Sequence, residues 1–194
     1  MSFGRPSEDF HQWTLNPQET ETIIRKALDL GINFFDTANV YSHGTSEEYL
    51  GQALKKNIAR DKAVIATKVY FNEGHLSKEA INSEIDSSLK RLGTDYVDLY
   101  IIHRFDYDTS IEETMEALDG LVKSGKVRAL GASAMYGYQF HNMQLAAEKN
   151  GWTKFVSMQN HYNLLYREDE REMIPVCRQY NVCLLYTSDA ADEL

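Results

Sequence analysis

Apolar positions along this chain follow two alternating rhythms, one with the period of an amphipathic helix and one running continuously over a few residues, as in a strand buried on both faces. Ile23, Ile24, Ala27, Leu28 and Leu30 form the first helical stripe. Ahead of it, Asn16-Pro17-Gln18-Glu19 supplies an N-cap residue, a proline at the first helical position and an acid at the third; Gly31 ends it. The run 32–35 then reads as a strand. The unit recurs: a helix over 46–56 built on Leu50, Ala53 and Leu54 precedes the β-branched run 63–67, which closes at Lys68. Ser77 caps a helix to Leu92 with Ile81, Ile85 and Leu89 on its apolar face, and the strand 96–102 ends at His103. Ser110-Ile111-Glu112-Glu113 reads as a capping box opening a helix to Ser124, followed by a strand over 126–131. Helices over 139–149 and 168–180 precede strands over 155–159 and 182–185.

Six strands alternating with helices imply an α/β fold with a parallel sheet and right-handed crossovers. No Gly-x-Gly-x-x-Gly follows any strand, so the dinucleotide fingerprint of an open doubly wound sheet is absent, and polar residues gather instead at strand C-termini, where a (β/α)8 barrel of the TIM type carries its site. A full barrel takes ~250 residues. The 194 residues here therefore predict an incomplete barrel that lacks its first and eighth strands, with a barrel domain over 1–185 and a tail over 186–194 that leaves the apolar pattern.

A net charge of -9 argues against a nucleic-acid partner, which needs clustered Lys and Arg to displace counterions. The two cysteines, Cys177 and Cys183, fit neither a disulfide framework nor a four-ligand zinc site, and the six histidines include no His-x-His or His-x-x-x-His pair, so no metal is expected. No apolar run reaches the ~20 residues of a membrane span. The start Met1-Ser2-Phe3-Gly4 lacks a signal-peptide pattern, which predicts a cytoplasmic protein without membrane attachment.

Four residues near strand ends carry the candidate chemistry: Asp36 at the tip of the first strand, Tyr41 in the loop beyond it, Lys68 after the second and His103 after the third. In a barrel these tips converge on one mouth. A phenol with a pKa of ~10 is a poor acid at neutral pH, but an adjacent ammonium stabilises its phenolate and strengthens it. Asp36 would hold Lys68 charged, and a neutral His103 would donate a hydrogen bond to a carbonyl oxygen. Each residue alone has an ordinary alternative, as a cap, a packing tyrosine or a structural histidine; the joint occurrence points to a proton donor for a developing alkoxide.

Gly31-Ile32-Asn33-Phe34-Phe35-Asp36-Thr37-Ala38 with Tyr41, then Ala66-Thr67-Lys68, then Asp98-Leu99-Tyr100-Ile101-Ile102-His103, resembles the catalytic signature of the aldo-keto reductases in order and spacing. The resemblance implies Tyr41 as general acid, Lys68 as its activator, Asp36 as the partner of Lys68 and His103 as the residue orienting a small-molecule carbonyl substrate. It also implies a nicotinamide cofactor, NADP(H) with NAD(H) as the alternative, whose carboxamide would meet Ser133 and Gln159. Ala134 stands where the family usually has Asn after that Ser. The resemblance leaves the natural substrate and the oligomeric state open. Two other roles fit the same residues: a nicotinamide-binding regulatory module like the potassium-channel β subunits that resemble this family, and an inactive truncated remnant.

Overall fold

The computed structural model describes residues 2–8 and 11–187. Helices α1 (Pro17–Asp29), α2 (Thr45–Asn57), α3 (Lys78–Leu92), α4 (Ile111–Lys123), α5 (Gly137–Asn150) and α6 (Met173–Tyr180) alternate with strands β1 (Phe34–Asp36), β2 (Val64–Val69), β3 (Val97–Ile102), β4 (Val127–Ser133), β5 (Phe155–His161) and β6 (Cys183–Thr187). Every neighbouring pair of strands is parallel and their order in the sheet is their order in the chain. The sheet curls into a partial (β/α) barrel with the helices outside, as the alternation predicts. The tail expected at 186–194 lies, from 188 onward, outside the described residues.

Strand alternation sorts the side chains onto two faces. Phe35, Ile65, Val69, Tyr100, Ile102 and Leu130 point outward into a core shared with Ile24, Leu50, Ile81, Ile85, Leu118 and other helix residues. Ala66, Leu99 and Ile101 form a smaller inner cluster with Ala129 and Leu185. Register fixes the layers of that inner face: Asp36 lies level with Ala66 and Leu99, and Lys68 with Ile101, Gly131, Ser157 and Cys183. Gly131 is needed there, because a Cβ would stand 2.5 Å from Ser157 Oγ and 3.0 Å from Ile101 Cγ1. Two residues further along their strands, Ser133 and Gln159 are register partners.

Strands β2, β4 and β5 run about two residues further than the sequence predicts, so Lys68 and Ser133 lie within strands, and two helix starts also differ from expectation. The capping box at the start of α1 forms fully: Asn16 Oδ1 accepts from the N–H groups of Gln18 and Glu19, and Glu19 Oε2 accepts from Asn16 N–H. At Ser110 only half of the expected box forms. Ser110 Oγ accepts from Glu113 N–H, but Glu113 Oε1 accepts from the N–H of Lys78 and so caps the neighbouring helix α3. The helix expected over 168–180 is a 3-10 turn, Glu168–Glu170, followed by α6. Pro175 lacks an N–H and would break a helix begun at 168, whereas a start at Met173 puts it in the first turn, where no such bond is required.

Candidate active site

Asp36 closes β1, and Lys68 projects from the same inner face of β2. Lys68 Nζ donates to Asp36 Oδ2 at 2.6 Å, to the Thr37 carbonyl at 3.0 Å and to the Tyr41 hydroxyl at 3.4 Å. Three acceptors match the three ammonium protons, which is how a lysine only 2% exposed remains charged. Burial by itself would depress the Lys68 pKa; the charge of Asp36 and the Tyr41 phenol outweigh it and hold the ammonium above the ordinary lysine value. The Thr37 carbonyl is a participant that side-chain reasoning alone missed.

His103 follows β3, and its backbone N–H donates to the Val69 carbonyl at 2.9 Å. Its ring meets Tyr41 edge to face at 5.7 Å and 77°, and Phe71 at 5.1 Å and 78°. Burial first, then the charges of Lys68 and Arg104, bring its pKa down to about 3. The imidazole is therefore neutral at neutral pH, and its buried Nδ1 has no hydrogen-bond partner among the described residues. The unfolded chain takes up this proton near ~6.5, the folded chain only near 3, so His103 lowers stability as pH falls through that window and has no effect above it. In histidine-selective NMR the His103 ring signals should stay fixed between about pH 5 and pH 8. A midpoint near the ordinary histidine value would refute the neutral assignment.

Ser133 and Gln159 meet each other at the ends of β4 and β5, where Ser133 Oγ donates to the Gln159 carbonyl at 2.6 Å. Gln159 Oε1 is buried and has no partner among the described residues. Both side chains line a cleft of about 640 Å³ together with Tyr70, Arg104, Tyr136 and Asn160. Asp36, Tyr41, Lys68 and His103 are not among its lining residues, though Arg104, which lines it, is the chain neighbour of His103. Ala134, where the family has Asn, takes a left-handed conformation at φ 45, a region that Asn enters far more readily than Ala. Its N–H donates to Asn160 Oδ1 at 3.0 Å. Asn160 is marked in the sequence only by the polar run Gln159-Asn160-His161 that closes an apolar strand.

A curled parallel sheet with a carboxylate, ammonium, phenol and imidazole gathered toward the C-terminal strand ends defines a partial (β/α) barrel whose candidate site lies at that end. The chain belongs to the aldo/keto reductase family, whose sequence profile matches residues 1–188. It is 47% identical to an aldo-keto reductase of Fusarium vanettenii, over 89% of this chain and 55% of that protein. An aldo-keto reductase of Alternaria alternata is 44% identical over 95% of this chain and 58% of its own length. The versiconal hemiacetal acetate reductase of Aspergillus parasiticus is 44% identical over 98% and 62%. The chain thus spans between about half and two thirds of the length of these relatives. No helix among the described residues is long and apolar enough to cross a membrane.

Proposed function

We propose that this chain carries the carbonyl-reducing site of an NAD(P)H-dependent oxidoreductase, with Tyr41 as the proton donor. The observation that carries the reading is the single buried ammonium bonded to both Asp36 and the Tyr41 hydroxyl. A phenol beside a fixed cation releases its proton more readily, and Asp36 keeps that cation in place. His103, neutral and packed edge-on against Tyr41, can donate one ring N–H toward a carbonyl oxygen brought to the Tyr41 hydroxyl. The proton lost from Tyr41 leaves a phenolate that Lys68 stabilises until solvent returns a proton. A neighbouring carbonyl is then polarised by two donors before and during reduction.

The residues fit a nicotinamide carboxamide. The unpaired buried Gln159 Oε1 can accept from its amide N–H, and the Ser133 oxygen, whose hydrogen goes to the Gln159 carbonyl, keeps lone pairs to accept another. Such a cofactor supplies a hydride equivalent for the carbonyl carbon when bound. NADPH is the expected form and NADH the alternative; the substrate class is a small aldehyde or ketone, in a soluble and cytoplasmic setting. With 4-nitrobenzaldehyde and NADPH deuterated at nicotinamide C4, the product alcohol should carry deuterium at its carbinol carbon. Alcohol formed without deuterium, or no alcohol at all, would overturn the reading.

A further inference from the structure

Behind the site, on the outer face of β2, lies a polar cluster that the proposed chemistry does not use. Glu47, in the first turn of α2, is wholly buried. Its Oε1 accepts from Thr67 Oγ1 at 2.5 Å, and its Oε2 from Arg91 Nε at 2.5 Å. Arg91, on α3, also donates to Glu84 at 2.6 Å and to Ser88 at 3.1 Å. Tyr100, the register partner of Thr67, is fully buried beside them, and burial followed by the charges of Glu84 and Glu47 pushes its phenol well above the ordinary range. A carboxylate as buried as Glu47 is costly to place unless bonded, and both of its oxygens accept hydrogen bonds, which fixes the geometry between α2, α3 and β2.

Both ends of this cluster reach the site. Thr67 precedes Lys68 in β2. At the other end, the residues after Tyr41 form a turn with three successive left-handed conformations, Ser42 at φ 48, His43 at φ 54 and Gly44 at φ 86. Two of these are not glycine and are strained, and such a turn persists only where its surroundings hold it. Part of that surrounding is Arg91: a Cβ at Gly44 would stand 2.8 Å from its Cδ. Ser46, beside Glu47, bonds Thr37 at 2.9 Å, tying the same helix end to the segment whose carbonyl accepts from Lys68.

We propose that Glu47 and Arg91 are positioning residues: the ion pair clamps the left-handed turn after Tyr41 against β2 and so sets the Tyr41 to Lys68 separation. The inference extends the reading of Tyr41 as proton donor, but its test needs no turnover. The double variant Glu47→Gln/Arg91→Met removes one charge of each sign, so the direct electrostatic effect on Tyr41 nearly cancels; Glu84, which also loses Arg91, keeps part of its side chain in contact with solvent. Lys68 and His103, which contact Tyr41, and Asp36, which holds Lys68, are unchanged in it.

The experiment titrates the tyrosine Cζ carbons by 13C NMR on the 194-residue chain, with the Tyr41 signal assigned by its loss in Tyr41→Phe. A wider Tyr41 to Lys68 gap weakens the stabilisation of the phenolate. The Tyr41 midpoint should therefore rise by on the order of 1 unit in the double variant. Thr67→Val, which cuts only the link to β2 and changes no charge, should raise it by less, and Arg91→Lys, which keeps a cation on Glu47, should restore most of the wild-type value. If the double variant loses its folded spectrum, Thr67→Val decides the matter. An unmoved midpoint in a folded variant would overturn the clamp, whatever Tyr41→Phe does to reduction.

Discussion

Tyr41→Phe is expected to lower NADPH-dependent aldehyde reduction by ~10²- to 10⁴-fold, the usual loss when a positioned general acid is removed. That corresponds to ~3–5 kcal/mol of transition-state stabilisation, larger than any other single change proposed for the site. The ring remains in the variant, so the edge-to-face contact with His103 survives, and so does the Lys68 bond to Asp36. Lys68 gives up only its longest bond, the one to the Tyr41 hydroxyl. The fold and the Ser133 and Gln159 contacts should therefore be untouched. The measurement is NADPH consumption at saturating cofactor, paired with NADPH binding by fluorescence. Loss of turnover with unchanged binding supports Tyr41 as the donor. Unchanged turnover would show that the proton comes from another group, with His103 next in line.

Asp98→Ala should cost the most stability for one small change. Asp98 sits at the start of β3, at the end of the barrel away from the site. One carboxylate oxygen accepts from Arg60 at 2.8 Å and from the backbone N–H of Ile65 at 3.0 Å; the other accepts from Arg128 at 2.9 Å. The two guanidinium groups also flank the ring of Tyr96, each 3.9 Å from its centre. Removing the carboxylate leaves a strand N–H and two cations without their shared acceptor. Breaking such a pair costs ~3–5 kcal/mol when fully buried, and the exposure of Arg128 argues for the lower end. At about 3 kcal/mol and ~2–4 °C per kcal/mol for a chain of this size, the melting temperature should fall by ~6–12 °C. Thermal unfolding followed by circular dichroism reads this directly. A fall of less than about 2 °C would mean that the network is decorative.

The two variants separate the two ends of the barrel, and the sequence was unequally informative about them. Asp36, Lys68 and His103 could be picked out because each stands at the end of an apolar run, where charge needs a reason, and Tyr41, in the loop beyond Asp36, only through its joint occurrence with them. Ser133 and Gln159 came from the family pattern, since a strand-end Ser or Gln is chemically unremarkable. Asp98 stands in the sequence only as one polar residue in an otherwise apolar strand. Nothing local links it to Arg60 or Arg128, which lie 38 and 30 residues away along the chain. The same applies to Glu113. Its position three residues after Ser110 fits a capping box, yet it caps α3, because the packing of α3 and α4 offers it the N–H of Lys78 instead.

By itself, the sequence determined the alternation of helices and strands, the parallel sheet and which residues stand at strand ends, because those follow from local periodicity, caps and breakers that act over a few residues. Only the tertiary structure decided that one lysine meets both Asp36 and Tyr41, that His103 is buried deeply enough to stay neutral, and that Glu47 and Arg91 lie behind the turn after Tyr41. Distances of this kind and the degree of burial depend on sheet register and on how helices from distant segments pack. No local pattern encodes those, since they are settled jointly by the whole core.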